Sequence, residues 1–186
     1  MKTLITLYSG CIEFEVLLAA HLLGPKYPVL IATPTGEDYK SSNGMTFKSD
    51  LSYRAIRSEE FAALLVPGGD PTSVVGNENL NHVVRSIHKQ GANIGAVCAG
   101  PFVLAQAGIL KGKKIAHGYD KDQLDFLKNY FVGVQLTNDI VKVDGNIVTA
   151  KPQGHVEFAI EIARLTGAIA DESHLQRLLH FYKAQS

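Results

Sequence analysis

The residue type with the most chemical reach in this chain is a cysteine set among small neighbours, Gly95-Ala96-Val97-Cys98-Ala99-Gly100. It closes the apolar run from Asn93 to Val97 and precedes a second apolar run, Pro101 to Ala107, with a helical look. A strand that turns sharply into a helix leaves its turn side chain exposed at the strand's carboxyl end, beside an amide-rich helix N-terminus. Small residues are what such a corner tolerates. A thiol placed there is expected to ionise more readily than a free one. Other reactive groups gather after further apolar runs. Ser9, Gly10, Cys11, Glu13 and Glu15 follow the first, Pro67-Gly68-Gly69-Asp70-Pro71 follows the third, and His117 follows the fifth. An acid, a glycine-rich amide loop, a thiol and an imidazole are the parts of thiol-based covalent chemistry. In that reading the Gly68-Gly69 loop and the N–H of Ala99 supply donors to an oxyanion.

Each part also has a plainer reading. A free cysteine is among the most buried residue types. A glycine pair after a strand can be only a turn. Glu13 and Glu15 open an apolar helix, where the dipole favours a carboxylate whatever its task. A lone histidine such as His117 is commonly an ordinary polar contact. A carboxylic acid held against a thiolate would instead have a raised pKa and would donate a hydrogen bond or move protons.

The elements that must position these groups follow from hydrophobic periodicity. Strands are expected at Thr3 to Tyr8, Val29 to Thr33, Ala62 to Val66, Asn93 to Val97, Lys114 to Ala116, Ile140 to Val143 and Asn146 to Ala150. The last two flank Asp144-Gly145, a hairpin signal. Helices are expected at Glu13 to Leu23, Asn79 to Gln90, Ala99 to Ala107, Lys121 to Tyr130, His155 to Leu165 and Glu172 to Ala184. Val156, Ala159, Ile160 and Ala163 share one face of the fifth, as a helix lying on a sheet requires. Alternating strands and helices predict an α/β fold, with ligands bound at the carboxyl ends of parallel strands.

With 186 residues the chain is expected to form one domain, 1–186, large enough for a full core. Its 18 basic and 18 acidic side chains balance, so nothing points to a nucleic-acid partner. Two cysteines do not make a disulfide framework. The N-terminal apolar run meets Glu13 and Glu15 too early for a secretion signal, and no uncharged apolar stretch is long enough to span a bilayer. The expected location is the cytoplasm.

Val66-Pro-Gly-Gly69, Ala96-Val-Cys-Ala-Gly-Pro101, Val143-Asp-Gly-Asn-Ile-Val148 and Glu157-Phe-Ala159 together resemble the ThiJ/PfpI (DJ-one/PfpI) superfamily, part of the class I glutamine amidotransferase-like group. The resemblance runs from the first strand to the helix containing Glu157. It implies a flavodoxin-like three-layer sandwich, a homodimer, and a cysteine at a strained turn hydrogen-bonded to a glutamate of the first helix. The family's Gly-x-x-x-x-Glu pattern falls on Gly10 and Glu15, which leaves Glu13 as a neighbour. Relatives resembling the archaeal PfpI protease have a histidine directly after the cysteine; Ala99 stands there, which argues against a peptidase. His155 and Glu157 superficially fit an amidotransferase spacing, yet Glu157-Phe158-Ala159 matches the ordinary helix pattern, so both read as structural.

The parkinsonism-associated branch matches better, with Cys-Ala-Gly and a histidine after the next strand, here His117. Its members are described as cofactor-free glyoxalases, as contested deglycases and as oxidative-stress sensors. The resemblance therefore implies a small 2-oxoaldehyde as substrate, no cofactor and no metal. Cys98, Glu15 and His117 would be catalytic, with Gly68, Gly69 and Ala99 around the oxyanion. One alternative is a sensor or protective protein in which Cys98 is oxidised without turnover. Another is an isocyanide hydratase, which relies on an aspartate in the first-helix region and is disfavoured by Glu15. Cys11 reads as a buried small side chain, with a resolving thiol as the alternative.

Overall fold

The computed structural model describes residues 1–183; Ala184, the expected end of the last helix, lies outside the described residues. Seven strands form the main sheet: β1 Lys2–Thr6, β2 Val29–Thr33, β3 Leu51–Ser52, β4 Phe61–Val66, β5 Asn93–Val97, β6 Val141–Asp144 and β7 Ile147–Ala150. Their spatial order is β6-β7-β5-β4-β1-β2-β3. All neighbours pair parallel except the β6–β7 hairpin, which turns at Asp144-Gly145 as expected. All six residues of β4, Phe61-Ala-Ala-Leu-Leu-Val66, are buried, as suits a parallel strand covered on both faces.

Among the described residues six α-helices complete the sandwich: α1 Phe14–Leu23, α2 Glu78–Lys89, α3 Pro101–Gln106, α4 Lys121–Leu127, α5 His155–Leu165 and α6 Glu172–Lys183. α1 packs with α5 and α2 with α3, and α6 covers α5. The fold is the flavodoxin-like three-layer α/β sandwich with a mostly parallel sheet. Local sequence explains the ends. The Asn77 side chain accepts the Leu80 N–H at 3.0 Å to start α2. Asp120 and Gln123 form a reciprocal capping box that starts α4. Val156, Ala159, Ile160 and Ala163 are all buried, so the core face of α5 is the expected one. Among the described residues no helix is long and apolar enough to cross a membrane.

Several details depart from the sequence reading. Lys114–Ala116 is a strand, but it pairs in parallel with Gln135–Thr137 apart from the main sheet. The segment between β2 and β3 carries a small hairpin, Tyr39–Lys40 with Thr46–Phe47. Cys11–Ile12 pairs antiparallel with Gly68–Gly69, tying the loop after β1 to the loop after β4. α3 starts at Pro101, because residues 98–100 are used up in the turn itself, and α4 ends at Leu127.

Candidate active site

The three central strands β1, β4 and β5 are spatial neighbours, so the segments following them meet at one end of the sheet. Cys98 ends β5 with φ of 61°, and it is the one non-glycine residue with positive φ among the described residues. That left-handed backbone costs about 1–3 kcal/mol and persists only where surroundings enforce it. Here they do. Its N–H donates to the Ala150 carbonyl, its carbonyl accepts the Gly118 N–H, both at 2.9 Å, and the Gly100 N–H closes the turn on Val97 at 2.8 Å. A Cβ on Gly100 would lie 2.6 Å from the Val66 carbonyl oxygen, so only glycine fits.

Glu15 comes from the first turn of α1 and is 2% exposed. Its Oε2 accepts the Gly68 N–H at 2.9 Å, and its carboxyl is a hydrogen-bonding neighbour of the Cys98 thiol. Burial raises its pKa, against the lowering pull of the Gly68 amide, the thiol and the nearby His155. Helix capping is not its task, and Glu13 makes no side-chain cap bond either. The amides of Gly69 and Ala99 both point at the Cys98 sulfur. The Gly68 amide differs from the sequence reading, since it holds Glu15 instead of facing the sulfur. A Cβ on Gly68 would lie 2.4 Å from the Cys98 Cβ and 2.7 Å from the Ala99 nitrogen. The two loops therefore touch backbone to backbone.

The expectation of an easily ionised thiol needs correction. Burial, and next the Glu15 carboxylate, push Cys98 up to about 11, outweighing the two amides. The helix proper begins three residues later, at Pro101, so its N-terminus is not against the sulfur. An ionised carboxylate here suppresses the thiolate; a proton on Glu15 removes that repulsion and supplies a donor.

His117 immediately precedes Gly118, whose N–H donates to the Cys98 carbonyl. The His117 ring stacks on Tyr119 with centroids 5.5 Å apart, and its Nδ1 accepts the Tyr119 N–H at 3.2 Å. The neutral ring consequently carries its proton on Nε2. Burial and then Lys151 lower its pKa. No hydrogen bond among the described residues joins this imidazole to Cys98 or Glu15.

Two tyrosines that the sequence reading left out hold the site's backbone. The Tyr119 hydroxyl donates to the Ala99 carbonyl at 2.6 Å and accepts the Phe102 N–H at 2.7 Å, bridging the turn. The buried Tyr8 hydroxyl donates to the Pro67 carbonyl at 2.7 Å, with the Gly68 carbonyl at 3.1 Å, fixing the loop that carries the Gly69 amide. Tyr8 lies two residues past the strand end at Thr6 and Tyr119 three past the one at Ala116, the one signal that could have drawn attention to them. His155 is not distant from the site either: its ring meets Phe14 edge-on at 5.9 Å, and it lies near enough to Glu15 to be among the groups lowering that carboxyl's pKa. Cys11 is buried and, like Cys98, unpaired.

The fold and these contacts define an α/β sandwich with a cysteine at a strained strand-to-helix turn, faced by a carboxyl group and two amides. The chain belongs to the DJ-1/PfpI family, whose model matches residues 1–165. Protein dj-1beta of Drosophila melanogaster is 31% identical over 168 residues, covering 87% of each chain. The crystal structure of Drosophila melanogaster DJ-1beta matches all of both chains with a TM-score of 0.78 at 27% identity. Deglycase PH1704 of Pyrococcus horikoshii is 30% identical, covering 81% of this chain and 90% of its own. The glutathione-independent glyoxalase DJR-1.2 of Caenorhabditis elegans is 28% identical, covering 81% and 80%.

Proposed function

We propose that this protein is a cofactor-free glyoxalase or deglycase-like enzyme acting on small 2-oxoaldehydes through Cys98. The observation that carries the reading is the convergence of the Glu15 carboxyl and the Gly69 and Ala99 amides on a thiol held at φ 61°. Relatives named as deglycases and as a glutathione-independent glyoxalase support it.

The pair of Cys98 and Glu15 shares a proton, because two anions in this desolvated place repel. With the proton on Glu15, the thiolate adds to the aldehyde carbon, forming a carbon–sulfur bond and an alkoxide held by the Gly69 and Ala99 amides. The hydrogen on that carbon leaves as a proton and its electron pair moves toward the adjacent ketone carbon, which is then protonated. Glu15 first gives its proton to the alkoxide oxygen. The ionised carboxylate then takes the C–H proton and, with His117, delivers it to the neighbouring carbon, while the hydroxyl proton passes to the former ketone oxygen. The aldehyde carbon is oxidised, the ketone carbon is reduced, and no outside oxidant is needed. Water then cleaves the thioester, releasing a 2-hydroxy acid and restoring the thiol. Purified protein given methylglyoxal without glutathione is expected to form lactate; a rate no higher than that of Cys98→Ser would end this reading.

A second reading, oxidation of Cys98 without turnover, draws on the same contacts, since amides and a carboxylic acid also stabilise a sulfinate. Mild peroxide should then add two oxygens to the intact mass in a Cys98-dependent way. A loss of two hydrogens that depends on Cys11 would point to a disulfide instead. The working unit in this proposal is a homodimer in the cytoplasm. It draws support from α1, which leaves Phe14 57% and Leu17 38% exposed next to Glu15. Sedimentation at monomer mass would remove the dimer.

A further inference from the structure

Beside the Cys98 turn the surface opens into a cavity of about 280 Å³. Gly69 and Ala99, whose amides face the sulfur, form part of its wall. Most of the rest is apolar: Pro71, Val75, Phe102, Tyr119, Phe126 and Leu127. The Tyr119 hydroxyl is engaged with Ala99 and Phe102, so its ring is what a ligand would meet. Phe126 and Val75 are 84% and 51% exposed at the mouth. Large apolar side chains left in water beside a reactive group are an incentive for a ligand to cover them.

The polar lining narrows the ligand further. Asp70 Oδ1 already accepts the Thr72 N–H at 3.0 Å, and Gln123 is tied into the α4 capping box with Asp120. No lysine or arginine lines the cavity, and its single charge is the Asp70 carboxylate. Phosphate- or carboxylate-bearing ligands therefore have no cation to pair with here. Size adds to this. A three-carbon oxoaldehyde has five heavy atoms and occupies on the order of 100 Å³ at interior packing density, which leaves most of the cavity empty.

We propose that the cavity receives an apolar, aryl-sized substituent of a neutral substrate whose reacting carbon sits at Cys98. Resting on the glyoxalase reading, the substrate class is an aryl or bulky alkyl 2-oxoaldehyde. The reaction it undergoes is the balanced one above, addition of one water overall. The substituent takes no part in bond changes and contributes by binding and orientation.

The test compares phenylglyoxal with methylglyoxal by kcat/KM. The expected ratio is at least tenfold in favour of phenylglyoxal. Phe126→Ala and Val75→Ser should each lower that ratio at least threefold, while Phe181→Ala, exposed on α6, leaves it unchanged. A second arm needs no turnover. The unreactive diols 1-phenylethane-1,2-diol and propane-1,2-diol are titrated into the wild-type protein while backbone amide resonances of Ala99, Phe102 and Leu127 are followed. The phenyl diol should shift them at tenfold lower concentration. That preference without turnover of either aldehyde supports the cavity's ligand class and removes only the glyoxalase reading. Equal handling of the two aldehydes, equal binding of the two diols, or no binding of the phenyl diol overturns the proposal.

Discussion

Two cysteines lie at the same end of the sheet, each near a buried glutamate, and they have different surroundings. Cys11 is in a short strand paired with Gly69, is 4% exposed, and has Glu13, Tyr8 and Tyr39 nearby. Cys98 sits at the strained turn with two amides and Glu15 directed at its sulfur and a cavity alongside. Burial is the first cause raising both thiols. Cys11 is buried and Cys98 only half-buried. What separates them further is the backbone: a turn that exposes the sulfur to two amides and a carboxyl makes one thiol a candidate for chemistry, while an ordinary strand leaves the other as packing. The contrast teaches that a reactive cysteine is built by its neighbours' main chain more than by its own side chain.

The contrast breaks most visibly in turnover. Cys98→Ala should lower methylglyoxal turnover by at least about 1000-fold, in line with loss of a covalent nucleophile, whereas Cys11→Ala should stay within about twofold. Equal losses in a steady-state assay would erase the distinction. Gly68→Ala comes next, because its new Cβ would collide with both Cys98 and Ala99. Stability should fall by about 2–3 kcal/mol in urea titration, with turnover down about 100-fold; an unchanged midpoint would show that the loops can part freely.

The glutamates sharpen the comparison through pH. With Glu15 ionised, Cys98 is pushed up to about 11, so Glu15→Gln should move its alkylation midpoint to lower pH, while Glu13→Gln leaves it in place. Alkylation by iodoacetamide followed by peptide mass analysis reads each thiol separately. The smallest effect is on stability in alkali. A thiol whose folded pKa is raised from 9.0 to about 11 keeps its proton in the fold after the unfolded chain has lost it. Its stabilisation is complete below pH 9 and is lost as pH rises through the folded value. Stability should therefore decline between about pH 9 and 11, and Cys98→Ser should make that decline shallower. Because Cys11 is also raised, Cys11→Ser should do so as well; a decline unaltered by either change would exclude both thiols as its source.

Much of this architecture was legible from spacing. The long apolar runs of β1, β2, β4 and β5 and the period of α5 carry enough residues to establish a pattern, and the small residues around Cys98 and Gly68-Gly69 flagged the turn and its facing loop. Two-residue strands such as Leu51–Ser52 or Cys11–Ile12 are too short to show any period, and Gln135–Thr137 is recognisable only through its partner Lys114–Ala116. Tyr8 and Tyr119 act on carbonyls and amides whose positions exist only after folding. The thiol's raised pKa was missed for a related reason: local sequence suggested a helix N-terminus at the sulfur, but burial and Glu15 are contributions of the tertiary structure.

The hydrogen bond from Gly68 to Glu15 spans 53 residues of chain, and it forms only when parallel strands brought together from distant segments are in place. Such non-local pairings are slow to form compared with helices. On refolding from denaturant, recovery of helical circular dichroism should accordingly precede the reappearance of Cys98-dependent activity, which makes this site a late clock for the arrival of the native topology.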